Sequence, residues 1–425
     1  MIFTLFKSLR NRLSIARLRG WAAWWSIAEP EPVASQSALR LLILPSDPWT
    51  LIGAKGDEAM MMAVTSQLRE KHPSLTVGVV TATPQAQKAA EGLGMIAVHA
   101  WSSHFARDYA SMRRFRPNRV AIVGADVMDG YYSPVLTAKL LVLAEAMARR
   151  GVRAVILGFS FNAQPSGLLK AVFNRLSPEV AVNVRDKVSL ERLRRFCRTP
   201  ATLVADAAFM LEPAEPTPDI SAVHAWASSR RAAGDRVLGF NIHPMLVRSS
   251  NAEDIAALVR SAVDALRAVM ALRAVSVLLI SHDYRGAQSD DACLEPLHRA
   301  LADELGPRLV YCTRQFSAAE LKAIAGEMDA VVTGRMHLAI ATLGMGKPVA
   351  ALTYQDKFHG LFEHFDYPEK YLLAPAALAD GESLVRMMCE LIDELPALTA
   401  QVAERLPAVI EASRRNVEAL LREAR

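Results

Sequence analysis

AVVTGRMHLAIATLGMGKPVAALTYQDKFHGLFEHF, residues 330–365, is the stretch from which this 425-residue sequence is best read. It opens with an apolar run, 330–333, of strand length and too short for a helix. Gly334 follows, and Arg335, Met336 and His337 begin a segment of helical spacing that runs to Leu343. Gly344 and Gly346 stop that helix, and Pro348 opens a second apolar run ending at Tyr354. Strand, helix, strand, helix is the signature of a βαβ unit in a parallel sheet. Arg335 and His337 are thereby placed at the carboxyl edge of a strand and the amino end of a helix. Open α/β sheets bind ligands at that edge, where unpaired N–H groups and the helix dipole favour an anion. An arginine alone before a helix is usually a solvated charge, and a lone histidine is usually surface or satisfied core. The pair, followed by Lys357 and His359 at the next strand-to-helix turn, favours an anion site with a proton donor.

Outward from this stretch the chain alternates strands and helices. Candidate strands at 236–243, 275–281 and 308–313 precede it, with helices near 252–271, 291–304 and 317–325. Earlier still, candidate strands at 39–45, 75–81, 119–125, 153–160, 179–185 and 201–208 come with helical segments at 57–70, 133–150, 164–176 and 187–196. This is a doubly wound α/β pattern, written twice. LEPAEPTPD, 211–219, holds three prolines and reads as the boundary. Domains at 39–215 and 216–377 are expected, followed by a helical tail, 378–425, cut into pieces by Pro396 and Pro407.

Residues 1–28 stand apart: they carry Lys7, Arg10, Arg12, Arg17 and Arg19 and no acid. Wound as a helix, Ile2, Leu5, Phe6, Leu9, Leu13, Ala16 and Trp24 share one face, flanked by basic residues. Trp21, Trp24 and Trp25 add rings suited to a headgroup interface. The arginines interrupt any signal-peptide core. Two readings stay open, an amphipathic helix on an anionic membrane or one packed on the body of the protein or on another subunit. Residues 29–38 read as a linker.

Composition sets outer bounds. A hydrophobic content of 52% with 22% charged residues describes a globular chain. A net charge of +5 suits an anionic substrate or an acidic membrane surface, without the concentrated basic run of a nucleic-acid binder. Cys197, Cys293, Cys312 and Cys389 lie far apart with no C-x-x-C pair, so neither a zinc site nor a disulfide framework is indicated and a reducing cytoplasm is the default. No apolar run approaches the roughly 20 residues of a membrane span. H-E-x-x-H and P-loop motifs are absent from the sequence.

Arg335, His337, Gly346, Pro348, Tyr354 and Lys357 together resemble the closing motif of the polysaccharide pyruvyl transferase family: R-x-H after a strand, a G-x-P turn, then Y-x-x-K before a helix. VNVRDKVSLERL, 182–193, is similar to another family segment, with Arg185 at a strand end, Asp186 placed to cap the next helix and Ser189 one turn on. Arg185 either binds the donor, as the resemblance implies, or pairs with Asp186. GAKGDEAMM, 53–61, resembles the family's amino-terminal motif, with Ala54 where an Asn is common; Gly56 permits a tight turn and Asp57 suits a helix cap. VGADVMDG, 123–130, and LGFSFNAQP, 157–165, depart from the family's glycine patterns, which points to a divergent branch. Asp206, in VADAAFML, is expected to be structural.

The resemblance implies a GT-B-like α/β fold, two Rossmann-like doubly wound domains facing across a cleft. It implies transfer of the enolpyruvyl carbons of phosphoenolpyruvate to a saccharide, as a ketal or an enol ether, with phosphoenolpyruvate a co-substrate and neither cofactor nor metal. His337 is then the candidate general acid, acting with Arg335. Arg185, Arg335 and Lys357 would hold the donor anion. Asp57, His243, His282 and Asp283, at strand ends, would meet the acceptor. The acceptor would be lipid-linked or nucleotide-linked, in surface or exopolysaccharide biosynthesis, and the enzyme cytoplasmic or peripheral on the inner face of the cytoplasmic membrane. Two rival readings remain: a nucleotide-sugar glycosyltransferase on the same fold, and a non-catalytic membrane-tethered scaffold.

Overall fold

The computed structural model describes residues 2–27, 38–247, 251–353, 357–374, 377 and 381–423, with the side chains of 2–8 and 22–27 excepted. Most of the expected linker, 29–37, and Tyr354 of the closing motif lie outside the described residues. The chain forms two compact units, one of Met1–Ile52, Met60–Met210 and Glu411–Arg425, the other of Gly53–Ala59 and Leu211–Ile410.

In chain order the first elements are α1 (Ile2–Ile27), β1 (Arg40–Leu44), α2 (Lys55–Lys71), β2 (Thr76–Thr81), α3 (Pro84–Gly92), β3 (Ile96–His99) and α4 (Phe105–Arg114). Then come β4 (Arg119–Ile122), α5 (Pro134–Ala148), β5 (Arg153–Phe159), α6 (Lys170–Phe173), β6 (Val180–Val184), α7 (Lys187–Phe196) and β7 (Thr202–Leu203). The first unit's sheet has the order β3-β2-β1-β4-β5-β6-β7 and is parallel throughout. Its central strands are buried on both faces, as helices packed on each side require. β3 escaped the sequence reading because it is short, lies at the edge and buries only one of its four residues.

Two helices show how local sequence sets local structure. Ser133 caps α5, accepting from Leu136 N at 3.2 Å, and Pro134 takes the first position, where its missing N–H costs nothing. Asp186 caps α7 as its placement predicts, accepting from Ser189 N at 2.6 Å and from the Ser189 hydroxyl at 2.8 Å.

The second unit continues with α8 (Pro218–Ala232), β8 (Arg236–Asn241), α9 (Ala252–Leu272), β9 (Val275–Leu279), α10 (Asp291–Leu305), β10 (Leu309–Tyr311) and α11 (Ala318–Gly326). It ends with β11 (Ala330–Thr333), α12 (Met336–Gly344), β12 (Val349–Leu352), α13 (Lys357–Glu363), β13 (Leu372–Leu373), α14 (Glu382–Asp393) and α15 (Leu395–Leu421). Its sheet, β10-β9-β8-β11-β12-β13, is also parallel. Both sheets reverse direction beside their first strand, between β1 and β4 and between β8 and β11. Such switch points are where doubly wound sheets hold ligands.

Two expectations need correction. The tail is not a separate helical piece cut by prolines. α14 and α15 up to Ile410 belong to the second unit, and α15 from Glu411 belongs to the first. There Asn416 accepts from Gly158 N and donates to Ala205 O, both at 2.9 Å. Pro396 sits in the first turn, where no N–H is needed, and Pro407 is accommodated inside the helix.

The amino-terminal helix forms, but it docks with a stripe other than the one the sequence pattern favours. Ile15 is buried, and Leu18 and Trp21 pack against the first unit's core, where α1 covers α5. Trp21 meets the Phe105 ring at 6.2 Å. This explains why α5 is buried nearly all round. Among the described residues no helix is long and apolar enough to cross a membrane.

Candidate active site

The second sheet's switch point gathers most of the residues the sequence singled out. Thr333, at the end of β11, donates its hydroxyl to Asn241 Oδ1 of β8 at 3.1 Å and accepts from Arg335 N at 2.9 Å. Gly334 follows. His243, two residues past β8, donates from Nε2 to Gly334 O at 3.1 Å, which fixes its tautomer because a carbonyl only accepts. A Cβ on Gly334 would stand 2.6 Å from His243 Nε2, so glycine is required there for close approach. Burial, then the charge of Arg335, and further Lys357 and His282, hold His243 well below the ordinary histidine range against the opposing Gly334 bond.

Arg335 is the non-helical residue that leads into α12. Its side chain has no acceptor, so Arg335 does not itself cap the helix. Its guanidinium is held on three sides. Nε and Nη2 donate to Asp290 Oδ1 at 2.9 and 2.6 Å, Nη2 also to Gln288 O at 3.1 Å, and Nη1 lies 3.2 Å from Asp283 Oδ2. Asp290, fully buried, is the hub of this edge. Its Oδ2 accepts from Asn241 Nδ2 at 2.7 Å, His282 N at 2.9 Å and Asp283 N at 3.3 Å. Burial pushes the Asp290 carboxyl up from its ordinary range, while Arg335 and the His282 N–H draw it back. Asp290 was not singled out beforehand. The only signal was its place in the stretch after β9, where one acid among several stood out only once Arg335 was seen against it.

His282 is buried and held well below the ordinary range by burial first, then by His337, Arg335 and Lys55. Asp283, expected at an acceptor site, engages its carboxylate with Arg335 and with Arg285, whose Nε and Nη2 reach it at 3.0 and 2.7 Å. The loop that carries both residues is pinned by the segment before α2: Ala54 bridges to Asp283, Lys55 N donates to His282 O at 3.3 Å, and Tyr284 N to Gly53 O at 3.1 Å.

That segment gives α2 its place in the site. The helix begins at Lys55, so Asp57 is a buried first-turn residue and not the cap the sequence suggested. Nor does Gly56 serve a tight turn. A Cβ there would overlap the His337 ring at Nδ1, so the glycine makes room for His337. Lys55, buried, pairs with Glu58 at 2.8 Å and lies over the Tyr284 ring at 5.6 Å. Glu58 Oε1 in turn accepts from Ala318 N at 2.8 Å, at the start of α11. Lys357 opens α13 and is half-buried; His359, further along that helix, lies 3.7 Å from Glu369.

Arg185 is the other arginine read as a donor ligand. It belongs to the first unit, where Nη1 donates to Asp206 Oδ2 at 2.7 Å and Nε to Ser160 Oγ at 2.7 Å, with both charged side chains buried. Asp206 is structural, as expected. The pair is with Asp206 and not with the adjacent Asp186, because Asp186 is turned onto its own helix. Among the described residues no cluster of three or more His, Cys, Asp or Glu side chains is arranged to hold a metal ion.

The arrangement is therefore three histidines, Arg335, Lys55 and Lys357 around the amino end of α12, braced from behind by Asp283 and Asp290. Solved structures share its architecture. A putative UDP-N-acetylglucosamine 2-epimerase from Listeria monocytogenes superposes with a TM-score of 0.56 at 13% identity, covering 89% of this chain and 95% of that one. UDP-GlcNAc 2-epimerase from Neisseria meningitidis gives 0.54 at 11% over 90% and 100%, and spinosyn rhamnosyltransferase SpnG gives 0.51 at 13% over 89% and 99%. At such identities these matches speak to the fold, which is α/β and GT-B-like with two Rossmann-like units. The profile described as polysaccharide pyruvyl transferase matches residues 55–356. The chain belongs to the polysaccharide pyruvyl transferase family.

Proposed function

We propose that this protein transfers the pyruvyl group of phosphoenolpyruvate to a saccharide as a ketal. The observation that carries the reading is the gathering of Arg335, His337, His243, His282 and Lys357 at the switch point of the second sheet. Burial is the main reason His243 and His282 stay neutral, and Arg335, Lys357 and Lys55, which add to it, are the cations an incoming anion would meet. Donor phosphate and carboxylate would sit near the amino end of α12, whose dipole favours negative charge, with Lys357 beside them. Arg335 contributes charge and, held by Asp290 and Asp283, a fixed orientation. A donor that recruits it directly must displace one of those carboxylates.

In the reaction His337 gives a proton to the methylene carbon of the enol. The central carbon becomes an oxocarbenium-like electrophile, and a sugar hydroxyl adds to it. Phosphate leaves with its bonding pair, and a second hydroxyl closes the ketal, losing its proton. Phosphoenolpyruvate and a diol thus yield a ketal and inorganic phosphate. Capture by a single hydroxyl followed by loss of phosphate and a methyl proton would give the enol ether instead. Buried His243 and His282, with Asp57 in the first turn of α2, border the site on the acceptor side of this reading. The acceptor would be a lipid-linked or nucleotide-linked saccharide of surface or exopolysaccharide biosynthesis, met on the cytoplasmic side of the membrane.

The test is incubation with phosphoenolpyruvate and candidate saccharides, following phosphate release and the mass gain of one pyruvyl group. Thermal-shift titrations with phosphoenolpyruvate and with UDP run beside it. Stabilisation by UDP alone, with no phosphate released, would instead favour a nucleotide-sugar glycosyltransferase. Stabilisation by neither would favour a scaffold.

A further inference from the structure

The helix that covers α5 has a second face. Around α1, Ile15, Leu18 and Trp21 point to the core, with Asn11 and Ser14 half-buried beside them. At 100° per residue, Leu9, Leu13, Ala16 and Gly20 fall on the opposite side. All four are exposed, the two leucines at 55% each. Arg12 flanks this stripe on one side and Arg10 and Arg17 on the other, all exposed. The stripe is the one the sequence pattern selects as apolar, so the outward face of a fixed helix is the amphipathic one.

Charge decides what fits it. Residues 1–28 contain no acid. α4, which meets α1 through the Trp21–Phe105 contact, adds exposed Arg107 and Arg114, while its own acid, Asp108, is buried against Lys139 at 2.7 Å. Exposed leucines between arginines, with no neutralising carboxylate on the helix, suit a surface that takes apolar side chains and is itself negative.

We propose that the outward face of α1 docks the folded protein on an anionic lipid surface, with Leu9 and Leu13 entering the headgroup boundary and Arg10, Arg12 and Arg17 meeting lipid phosphates. α1 stays packed on α5 throughout, so this is docking by a rigid face and not release of a tether. Deleting the helix is a poor test, since it also strips α5. The clean test leaves the packed stripe intact.

Full-length protein is mixed with vesicles of phosphatidylglycerol or of phosphatidylcholine and sedimented at low and high salt. Binding to phosphatidylglycerol alone, weakened by salt, is expected. Leu9→Glu/Leu13→Glu should lower that partitioning by at least about 10-fold while leaving the thermal midpoint unchanged, because both side chains are already exposed. Arg10→Gln/Arg12→Gln/Arg17→Gln should lower it by about 100-fold at low salt. The proposal is overturned if wild type ignores phosphatidylglycerol vesicles, or if Leu9→Glu/Leu13→Glu binds them as well as wild type. It is equally overturned if, without lipid, the leucine variant turns a dimer into a monomer, which would make this face a contact between two copies of the chain.

Discussion

Arg185 and Arg335 each follow a buried strand, each stand just before a helix, and each reach a buried carboxylate, but they end in different chemistry. Arg185 is 2% exposed and closes an internal pair with Asp206. Arg335 is 11% exposed, divides itself between Asp283 and Asp290, and shares its edge with three histidines and the amino end of α12. The difference lies in what neighbouring strands deliver. Beside β6 stand Ser160 and Asp206, which take the Nε and Nη1 of the arginine. Beside β11 stands β8, whose end supplies His243 and Asn241, at the point where the strand order reverses. A strand-end arginine is a ligand candidate only where the sheet opens.

The largest effect that would sharpen this contrast is at His337. His337→Ala should keep the fold and lose about 10²–10⁴-fold in turnover at saturating phosphoenolpyruvate, the usual worth of a general acid. Turnover close to wild type would remove the proton-donor role.

The two arginines themselves come next. Removing one partner of a buried pair commonly costs about 3–5 kcal/mol, because it strands a buried charge. Arg185→Ala should therefore lower urea stability, and Arg185→Ala/Asp206→Ala should regain part of the loss, with phosphoenolpyruvate affinity unchanged in both wherever the protein is folded. Arg335→Ala should lower stability and also weaken donor binding. Equal donor affinity in the two single variants would break the comparison.

Acid should act on the Arg335 edge through its two buried histidines. His243 and His282 are held neutral, with folded values well below the ordinary range. The unfolded chain titrates them near about 6.5. Below that pH the unfolded state binds protons that the folded state refuses, so stability is full above it and falls on acidification. The slope is about 1.4 kcal/mol per pH unit for each histidine until the folded value is reached. Unfolding midpoints from pH 7 downward should show this slope, and His282→Gln should reduce it. An identical slope in that variant would place the acid sensitivity elsewhere.

The smallest effect is at Gly56. Glycine to alanine inside a helix normally stabilises by about 1 kcal/mol. Here the added methyl meets His337, so Gly56→Ala should cut turnover by about 10-fold, on the order expected for mispositioning one catalytic group. An alanine variant both more stable and fully active would show that His337 does not need its observed place.

Much of this was legible in the chain alone, because hydrophobic periodicity is local. The run of strands and helices, the strand–Gly334–Arg335–x–His337 edge and the Asp186 cap are all decided by residues within a few positions of one another. The amphipathic character of residues 1–28 was equally plain. What periodicity could not say was which stripe of α1 faces inward, since Ile15, Leu18 and Trp21 are too few to outrank the leucines without α5 in view. Edge strand β3 was hard to read because its apolar run, Ile96 to Val98, is only three residues long and lacks the alternation of a half-buried strand.

The partners across the sheet were decided only by tertiary structure. Asp290 lies 45 residues before Arg335, and Gly56 lies far upstream of His337, yet both define how those side chains are held. Gly56 looked like a turn glycine, and Asp283 like an acceptor ligand, because sequence shows a residue's type but not what approaches it. Burial and charge pairing are properties of neighbours in space. Parallel strands bring those neighbours from distant segments, since each crossover sets a helix between one strand and the next. The local pattern decided that Arg185 and Arg335 would each end a strand; packing decided which carboxylates each would meet.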